Sequence, residues 1–204
     1  MKKTTTGCVL MAAGSSERFG GNKLAAHFRG RPLIELAMEA IPRGEFTRVA
    51  VVSQHGFVMA LAEKYGYTAL LNSHPEAGVS RTIALGLNAM EGMDAVMFMV
   101  ADQPCLTRSS VLAELEFHRR QPAGCITAMA YGRRRGNPAI FPGEYFEDLR
   151  QLQGDIGGSL VICRHEDKLR LYQVEDELEL FDADSAQELE RLRALAGGRG
   201  RQGR

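Results

Sequence analysis

The chain lacks an excess of charge of either sign, because 25 lysines and arginines are matched by 25 aspartates and glutamates. A protein without net basic charge has no global field that draws it to nucleic acid or to an anionic membrane surface. We therefore expect neither nucleic acid nor a membrane among its partners. A small anionic ligand held by local charges is compatible with this composition.

Closely spaced cysteines are also missing. The four cysteines lie far apart, at Cys8, Cys105, Cys125 and Cys163, and none belongs to a C-x-x-C pair. This spacing argues against a zinc site and against a redox dithiol motif. The sequence has no apolar run long enough to span a bilayer and no apolar signal core near its first residues. We expect a cytoplasmic protein.

Tryptophan is absent, but the overall composition is that of a globular protein. A hydrophobic share of 45% and a length of 204 residues are sufficient for one domain with a substantial core. We predict a single domain over residues 1–196. The glycine-rich and basic residues 197–204 predict a disordered tail.

Apolar runs typical of strands alternate with helical patterns along the chain. Such alternation implies right-handed crossover connections and a mainly parallel sheet, so the predicted fold class is α/β. The predicted strands cover residues 8–12, 49–52, 68–71, 95–100, 124–131, 136–141 and 169–174, and the predicted helices cover 33–40, 56–65, 108–120 and 145–152, with further helices within 72–90 and 189–195.

A glycine-rich stretch, residues 14–21, follows the first predicted strand. An open α/β sheet binds its ligand at the carboxyl ends of its strands, which is where this stretch lies. Its glycines can direct backbone amides at an anion, and Arg18 and Lys23 offer cations to phosphate oxygens. Neither a P-loop nor the dinucleotide G-x-G-x-x-G pattern is present. The stretch suits a triphosphate, although taken alone it is more typical of a flexible turn with two solvated cations.

Residues 11–23 resemble the signature L-A-A-G-x-S-x-R-x-G-x-x-K of the MobA-like nucleotidyltransferases, with Met11 at the Leu position. The resemblance implies a Rossmann-like three-layer sandwich with a mainly parallel central sheet, of the nucleotide-diphospho-sugar transferase type. It also implies transfer of a nucleoside monophosphate from an NTP to an acceptor phosphate. The nucleotide-binding residues that it implies are Ala12, Ala13, Gly14, Ser15, Ser16, Arg18 and Lys23.

A second segment resembles the family pattern N…G-x-S-x-S-x-x-x-G-L, in which a loop enters a helix beside the nucleotide. The resemblance implies that Asn72, Gly78, Ser80 and Thr82 bind the nucleotide, with Thr82 in place of the usual Ser. A helix amino end favours anionic or polar ligands because its first amides lack intrahelical partners. The alternative is a helix that Ser80 merely caps.

Two aspartates follow predicted strands in segments that resemble family motifs. Asp102 stands in a D-Q-P segment, and Asp184 stands in a segment similar to D-I-D-T-P-E-D. Magnesium requires oxygen ligands when it bridges phosphates. The resemblance implies that Asp102 and Asp184 hold Mg²⁺, with Asp182 as a weaker candidate. The alternatives are a turn residue at Asp102 and a helix cap at Asp184.

The acceptor side resembles G-x-P-x-x-F at 136–141 and G-D-x-G-x-R at 154–159, and the latter segment helps molybdenum cofactor cytidylyltransferases to receive their pterin. Asn137 stands at a common His position and Ser159 at the Arg position. Arg164, or the basic loop at Arg133 to Arg135, is available to replace that Arg. The acceptor-binding residues implied are Gln103, Pro104, Gly136, Asn137, Pro138, Gly154, Asp155, Gly157 and Gly158.

These motifs together predict a magnesium-dependent nucleotidyltransferase. Arg18, Lys23 and Asp102 are its predicted catalytic residues, the first two stabilising the leaving pyrophosphate. Ala13-Gly14, where guanylyltransferases tend to have two glycines, favours CTP, and residues 154–159 favour molybdopterin as the acceptor. The alternatives are GTP-dependent transfer to molybdopterin, a sugar-phosphate or alcohol-phosphate acceptor, and a non-catalytic carrier of molybdenum cofactor. We expect a molybdenum hydroxylase or its accessory proteins as a further partner.

Overall fold

The computed structural model describes residues 4–14 and 19–199. The strands are β1 (Thr6–Ala12), β2 (His27–Phe28), β3 (Arg31–Pro32), β4 (Arg48–Ser53), β5 (Thr68–Leu71), β6 (Ala95–Val100), β7 (Ile126–Tyr131), β8 (Arg134–Pro142) and β9 (Leu169–Gln173). The helices are α1 (Leu33–Ala40), α2 (Gly56–Lys64), α3 (Val79–Ala89), α4 (Arg108–Arg119), α5 (Phe146–Arg150), α6 (Ser159–Arg164) and α7 (Ala186–Arg199).

The central sheet has seven strands in the order β5-β4-β1-β6-β8-β7-β9. All of its neighbouring strands pair in parallel except at β8, which runs antiparallel to both β6 and β7. The short strands β2 and β3 form a separate antiparallel ladder. The predicted α/β fold with a mainly parallel central sheet is confirmed.

The central strands read as apolar runs because helices cover both faces of the sheet. Along β1, Cys8 and Leu10 belong to a core cluster on one face, and Val9 belongs to a second cluster on the other. All three side chains are fully buried. This alternation is the two-residue period of a strand, and it builds a three-layer arrangement with a core on each side of the sheet.

The register of the parallel strands aligns their carboxyl ends at one edge. Ala12 of β1 lies opposite Ser53 of β4, and Met11 lies opposite Val100 of β6. The chain segments that leave these three strands therefore begin side by side. That edge is where open α/β sheets place their ligands, and it carries the predicted site.

Three details differ from the sequence-based expectations. Residues 132–136 do not form a basic loop, because β8 begins at Arg134 directly after a tight turn. Helix α6 was not predicted, since six residues carry too little periodicity to be recognised. Helix α7 runs to Arg199, so residues 197–199 are helical rather than a disordered tail. Residues 200–204 lie outside the described part of the chain.

None of the helices in the described part of the chain combines the length and the apolar character that a membrane span requires.

Candidate active site

The first site segment leaves β1 at the carboxyl edge of the sheet. The Ser53 hydroxyl donates to the carbonyl of Ala12 over 2.9 Å, and the Gln54 side-chain amide donates to the carbonyl of Ala13 over 3.1 Å. Both donors come from the end of the neighbouring strand β4 and its following residue. These contacts fix the path of the chain as it enters the glycine-rich stretch at Gly14.

Three predicted residues of this stretch, Ser15, Ser16 and Arg18, lie outside the described residues. Their roles in nucleotide binding, and that of Arg18 in catalysis, stay predictions.

Lys23 is a buried lysine held between two carboxylates. It begins a 3₁₀ turn, Lys23–Ala25, that the Asn22 side chain caps by accepting from the backbone amide of Leu24. Its ammonium donates to Asp102 Oδ2 over 2.7 Å and to Asp184 Oδ1 over 2.8 Å, and only 8% of the residue is exposed. Burial alone would lower the pKa of Lys23, but both carboxylates act against it and the net pKa is raised.

A backbone contact explains why the two aspartates meet. Asp102 follows β6, and its carbonyl accepts from the Ala183 amide over 2.9 Å, which places the next residue, Asp184, beside Asp102. Ser185, and not Asp184, caps helix α7: its hydroxyl accepts from the Glu188 amide over 3.2 Å and donates to the Glu188 carboxylate over 3.0 Å. The carboxylate of Asp184 is therefore left for the site.

A third carboxylate, Asp182, lies in the same group. It accepts from the side-chain amide of Gln103 over 3.0 Å. Burial, reinforced by the negative charges of Asp102 and Asp184, raises the pKa of Asp182 to about 6. Gln103 is itself 3% exposed, so this residue, which was predicted to bind the acceptor, lies beside the carboxylates. Its acceptor role stays a prediction.

The aspartates are suitable ligands for a divalent cation whose remaining ligands are nucleotide phosphates. Asp102 Oδ1 is buried and has no hydrogen-bond partner within the described part of the chain, which is unusual for a carboxylate oxygen. Among the described residues, no cluster of three or more His, Cys, Asp or Glu side chains is arranged to hold a metal ion. Magnesium in phosphoryl-transfer sites is typically bound by one or two carboxylates together with substrate phosphates. Asp102 and Asp184 have the chemistry for that arrangement.

The second predicted nucleotide segment is organised around Asn72, which is 1% exposed. Its amide nitrogen donates to the Thr82 hydroxyl over 3.3 Å, and its oxygen accepts from the His74 backbone amide and from Arg81 Nε. The Asn72 side chain thus holds both ends of the segment, a role in positioning the loop. Ser80 lies inside α3 and does not cap it, because the N-cap position belongs to Gly78.

Gly78 joins this segment to the predicted acceptor segment. A Cβ on Gly78 would lie 2.2 Å from the carbonyl carbon of Gly154 and 2.7 Å from the amide nitrogen of Asp155. The Ser80 amide donates to the Gly154 carbonyl over 3.1 Å. With φ at +86°, Gly78 also has a backbone conformation that favours glycine. The predicted nucleotide segment and the predicted acceptor segment are therefore packed directly against each other.

A pocket of about 180 Å³, lined mainly by apolar residues, lies beside the predicted acceptor segments. Its lining includes Phe98, Phe141 and Ile162, with polar groups from Arg135, Asn137 and Ser159. Of the predicted acceptor residues, the structure brings Gly136, Asn137 and Gly158 to this pocket. The lining does not include Gln103, Pro104, Pro138, Gly154, Asp155 or Gly157.

The sequence offers Arg164 and the basic residues 133–135 as replacements for the arginine of the family pattern, and these residues differ in their distance from the pocket. Arg135 lines the pocket, whereas Arg164 does not. Arg134 points elsewhere, since it lies over the ring of Phe181 and donates to the Leu180 carbonyl.

A family model described as the MobA-like NTP transferase domain matches residues 8–169. The chain belongs to this family. The match spans the glycine-rich stretch, Asp102 and the pocket residues, so the resemblance inferred from the motifs is confirmed. The MobA-like domain model ends before Asp184.

Among curated proteins, the chain is 27% identical over 195 residues to nicotine blue oxidoreductase of Paenarthrobacter nicotinovorans, covering 90% of this chain and 94% of that protein. Among solved structures, it is similar to a nucleotidyl transferase from Methanothermobacter thermautotrophicus, with 19% identity, a TM-score of 0.80 and coverage of 94% and 97%. It is also similar to CMP:2-keto-3-deoxy-manno-octonic acid synthetase complexed with CTP, with 14% identity, a TM-score of 0.74 and coverage of 96% and 100%.

These structural likenesses confirm the nucleotide-diphospho-sugar transferase type of the fold. Within this MobA-like domain, sequence reasoning missed the polar groups that support the site, namely Ser53 and Gln54. A signal for them was present, because both residues directly follow the predicted strand 49–52, at the same sheet edge as the glycine-rich stretch. The contact of Gln103 with Asp182 had no such signal, since it joins two distant loops.

Proposed function

We propose that the protein catalyses transfer of a nucleoside monophosphate from CTP to the terminal phosphate of molybdopterin, with release of pyrophosphate and dependence on Mg²⁺. The observation that carries the proposal is the junction of Lys23, Asp102 and Asp184 at the carboxyl edge of the sheet, in a chain of the MobA-like family. The reaction would take place in the cytoplasm, with a molybdenum hydroxylase or its accessory proteins receiving the product.

The chemistry of the junction is charge stabilisation. An acceptor phosphate is ionised near neutral pH, so its oxygen attacks the α-phosphorus in line without a side-chain base, while the bond to pyrophosphate breaks. The cation held by Asp102 and Asp184 supplies positive charge to the phosphates. Lys23, with Arg18 as the second predicted cation, offsets the charge that develops on pyrophosphate.

The identity of the two substrates rests on separate features. Ala13-Gly14 favours CTP through the family resemblance, and Gln54 holds the Ala13 carbonyl in place. Molybdopterin is favoured by the resemblance of residues 154–159, by the apolar pocket that suits a flat ring system, and by Arg135 at that pocket.

The decisive experiment measures pyrophosphate release with molybdopterin and Mg²⁺, using CTP, GTP and ATP in parallel. We expect release with CTP, and a loss of at least about 100-fold in the Asp102→Asn variant, because a divalent cation contributes several kcal/mol to the transition state. Asp167→Asn is the matched control, since Asp167 is an exposed carboxylate outside the site. A preference for GTP would replace CTP by GTP in the proposal.

The curated relative makes an oxidoreductase the second candidate, because its name states a redox activity. The same samples would be incubated with reduced nicotinamide or flavin cofactors and an electron-accepting dye. Dye reduction without pyrophosphate release from any nucleotide would favour that candidate. Binding of molybdopterin with neither activity would favour a carrier.

A further inference from the structure

We propose that the Lys23 ammonium occupies the metal site when no metal is bound. A divalent ion must then displace this ammonium from Asp102 and Asp184 before the site is active. The inference rests on the metal pair of the proposed function. It adds that the metal and the lysine exchange places, so that binding of the metal delivers Lys23 to the nucleotide phosphates.

The first argument is geometric. Nζ of Lys23 lies 2.7 Å from Asp102 Oδ2 and 2.8 Å from Asp184 Oδ1, so one ammonium bridges the two carboxylates. A metal ion held by the same two oxygens would compete with the ammonium for them. The remaining oxygen of Asp102, Oδ1, is buried and has no hydrogen-bond partner among residues 4–14 and 19–199, so this carboxylate has a second oxygen available to a cation with more than one coordination site.

The second argument is electrostatic. Asp102 and Asp184 carry two negative charges against the single charge of Lys23, and Asp182 lies beside them. A monovalent ammonium leaves this group with net negative charge in a partly buried site, where such charge is costly. A divalent ion satisfies the pair more completely. The excess negative charge therefore favours replacement of the lysine by the metal.

The third argument concerns what Lys23 does in catalysis. An ammonium that is bound to both carboxylates has two of its three donors committed to them, and it is largely buried. It cannot at the same time donate fully to pyrophosphate oxygens. Displacement by the metal frees the ammonium next to the site where phosphates must bind. Binding of the metal would then position the metal ion and free the Lys23 ammonium, so that both can stabilise the transition state.

Metal affinity of the free protein tests the exchange without any substrate. Mn²⁺ binding would be measured by electron paramagnetic resonance for the native protein, Lys23→Met and Lys64→Met. Because the competing ammonium is gone, we expect Lys23→Met to bind Mn²⁺ at least about tenfold more tightly than the native protein. Lys64→Met removes an exposed lysine of α2 and should leave the affinity unchanged. Equal or weaker binding by Lys23→Met would overturn the proposal.

A second measurement uses the native protein and does not depend on a variant that folds. Lysine acylation would be followed by mass spectrometry at Lys23 and Lys64, with and without Mg²⁺. We expect acylation of Lys23 to rise several-fold with Mg²⁺, while Lys64 reacts equally in both cases. Unchanged protection of Lys23 at a metal concentration that saturates the site would contradict the exchange. Neither measurement uses nucleotide or acceptor, so failure of the proposed transfer reaction would be recognised separately.

Discussion

In the cation half of the candidate site, Lys23 donates hydrogen bonds to Asp102 and Asp184. Asp182 lies close enough for the negative charges of these two aspartates to raise its pKa. In the acceptor half, formed by the pocket-lining residues, apolar rings and backbone define the space, and Arg135 is the charged group that lines it. In the cation half, hydrogen bonds fix the positions of a few charged atoms relative to one another. The second half offers shape with few directional contacts.

The departures from the family pattern follow this division. Lys23, Asp102 and Asp184 match the residues that the family resemblance implies, whereas Asn137 and Ser159 replace the expected His and Arg in the acceptor half. Exchanging one ion-paired residue leaves a partly buried partner charge uncompensated, which costs several kcal/mol. Exchanging a residue that lines an open pocket carries no such penalty. The acceptor half is therefore where this chain is able to differ in specificity.

Among the substitutions outside the carboxylate pair, Gly78→Ala is expected to produce the largest effect, because it disrupts the close contact between the predicted nucleotide segment, 72–82, and the predicted acceptor segment, 154–159. Its Cβ would lie 2.2 Å from the Gly154 carbonyl carbon, so the backbone of one segment must shift. We expect kcat/KM for both nucleotide and acceptor to fall at least tenfold, about 1.4 kcal/mol. Steady-state kinetics with each substrate varied in turn would measure this.

A matched glycine separates the clash from backbone strain. Gly92 has φ at +81°, close to the +86° of Gly78, but a Cβ there meets no atom within 4 Å. Gly92→Ala should lower thermal stability without changing either KM. If Gly78→Ala behaves like Gly92→Ala, the two segments are not coupled through this contact.

The sequence was sufficient to predict the sheet and the edge at which the site lies, because buried strands and the loops that follow them leave strong local patterns. The family resemblance implied Asp102 and Asp184 as joint metal ligands, and the structure brings both carboxylates to Lys23, while their metal role stays a prediction. The sequence could not predict that Lys23 bridges them, since that geometry depends on the hydrogen bond between the Ala183 amide and the Asp102 carbonyl. Helix α6 was missed for a different reason, because six residues give too short a period.

Glu114 provides a contrast to the carboxylates of the cation half. It is a buried carboxylate without a cation partner among the described residues. It is fully buried in α4, and neither of its oxygens has a hydrogen-bond partner among the residues that the structure describes. Burial raises the pKa of Glu114 well above its ordinary value. Because the folded pKa exceeds the unfolded one, its contribution to stability is complete below about pH 4.3 and is lost as the pH rises toward the folded pKa.

Glu114→Gln should therefore have little effect at pH 4 and stabilise the protein by about 1 kcal/mol at pH 7, since glutamine does not ionise in the unfolded chain. Chemical denaturation at several pH values would measure the difference. Glu116→Gln on the same helix is the control, because the Glu116 side chain is exposed. An advantage that does not grow with pH would show that Glu114 is not held in its neutral form.

Ser159→Arg is expected to have the smallest effect, and it acts on the acceptor half alone. Ser159 lines the pocket at the position where the family pattern has arginine. A guanidinium there would donate charge-assisted hydrogen bonds to an anionic acceptor, but solvent exposure limits the gain. We expect KM for molybdopterin to fall about threefold with kcat unchanged, and the gain to disappear at high salt. Ser109→Arg adds the same charge on α4 outside the pocket and should change neither parameter. An unchanged KM in Ser159→Arg would place the anionic group of the acceptor away from this wall, next to Arg135.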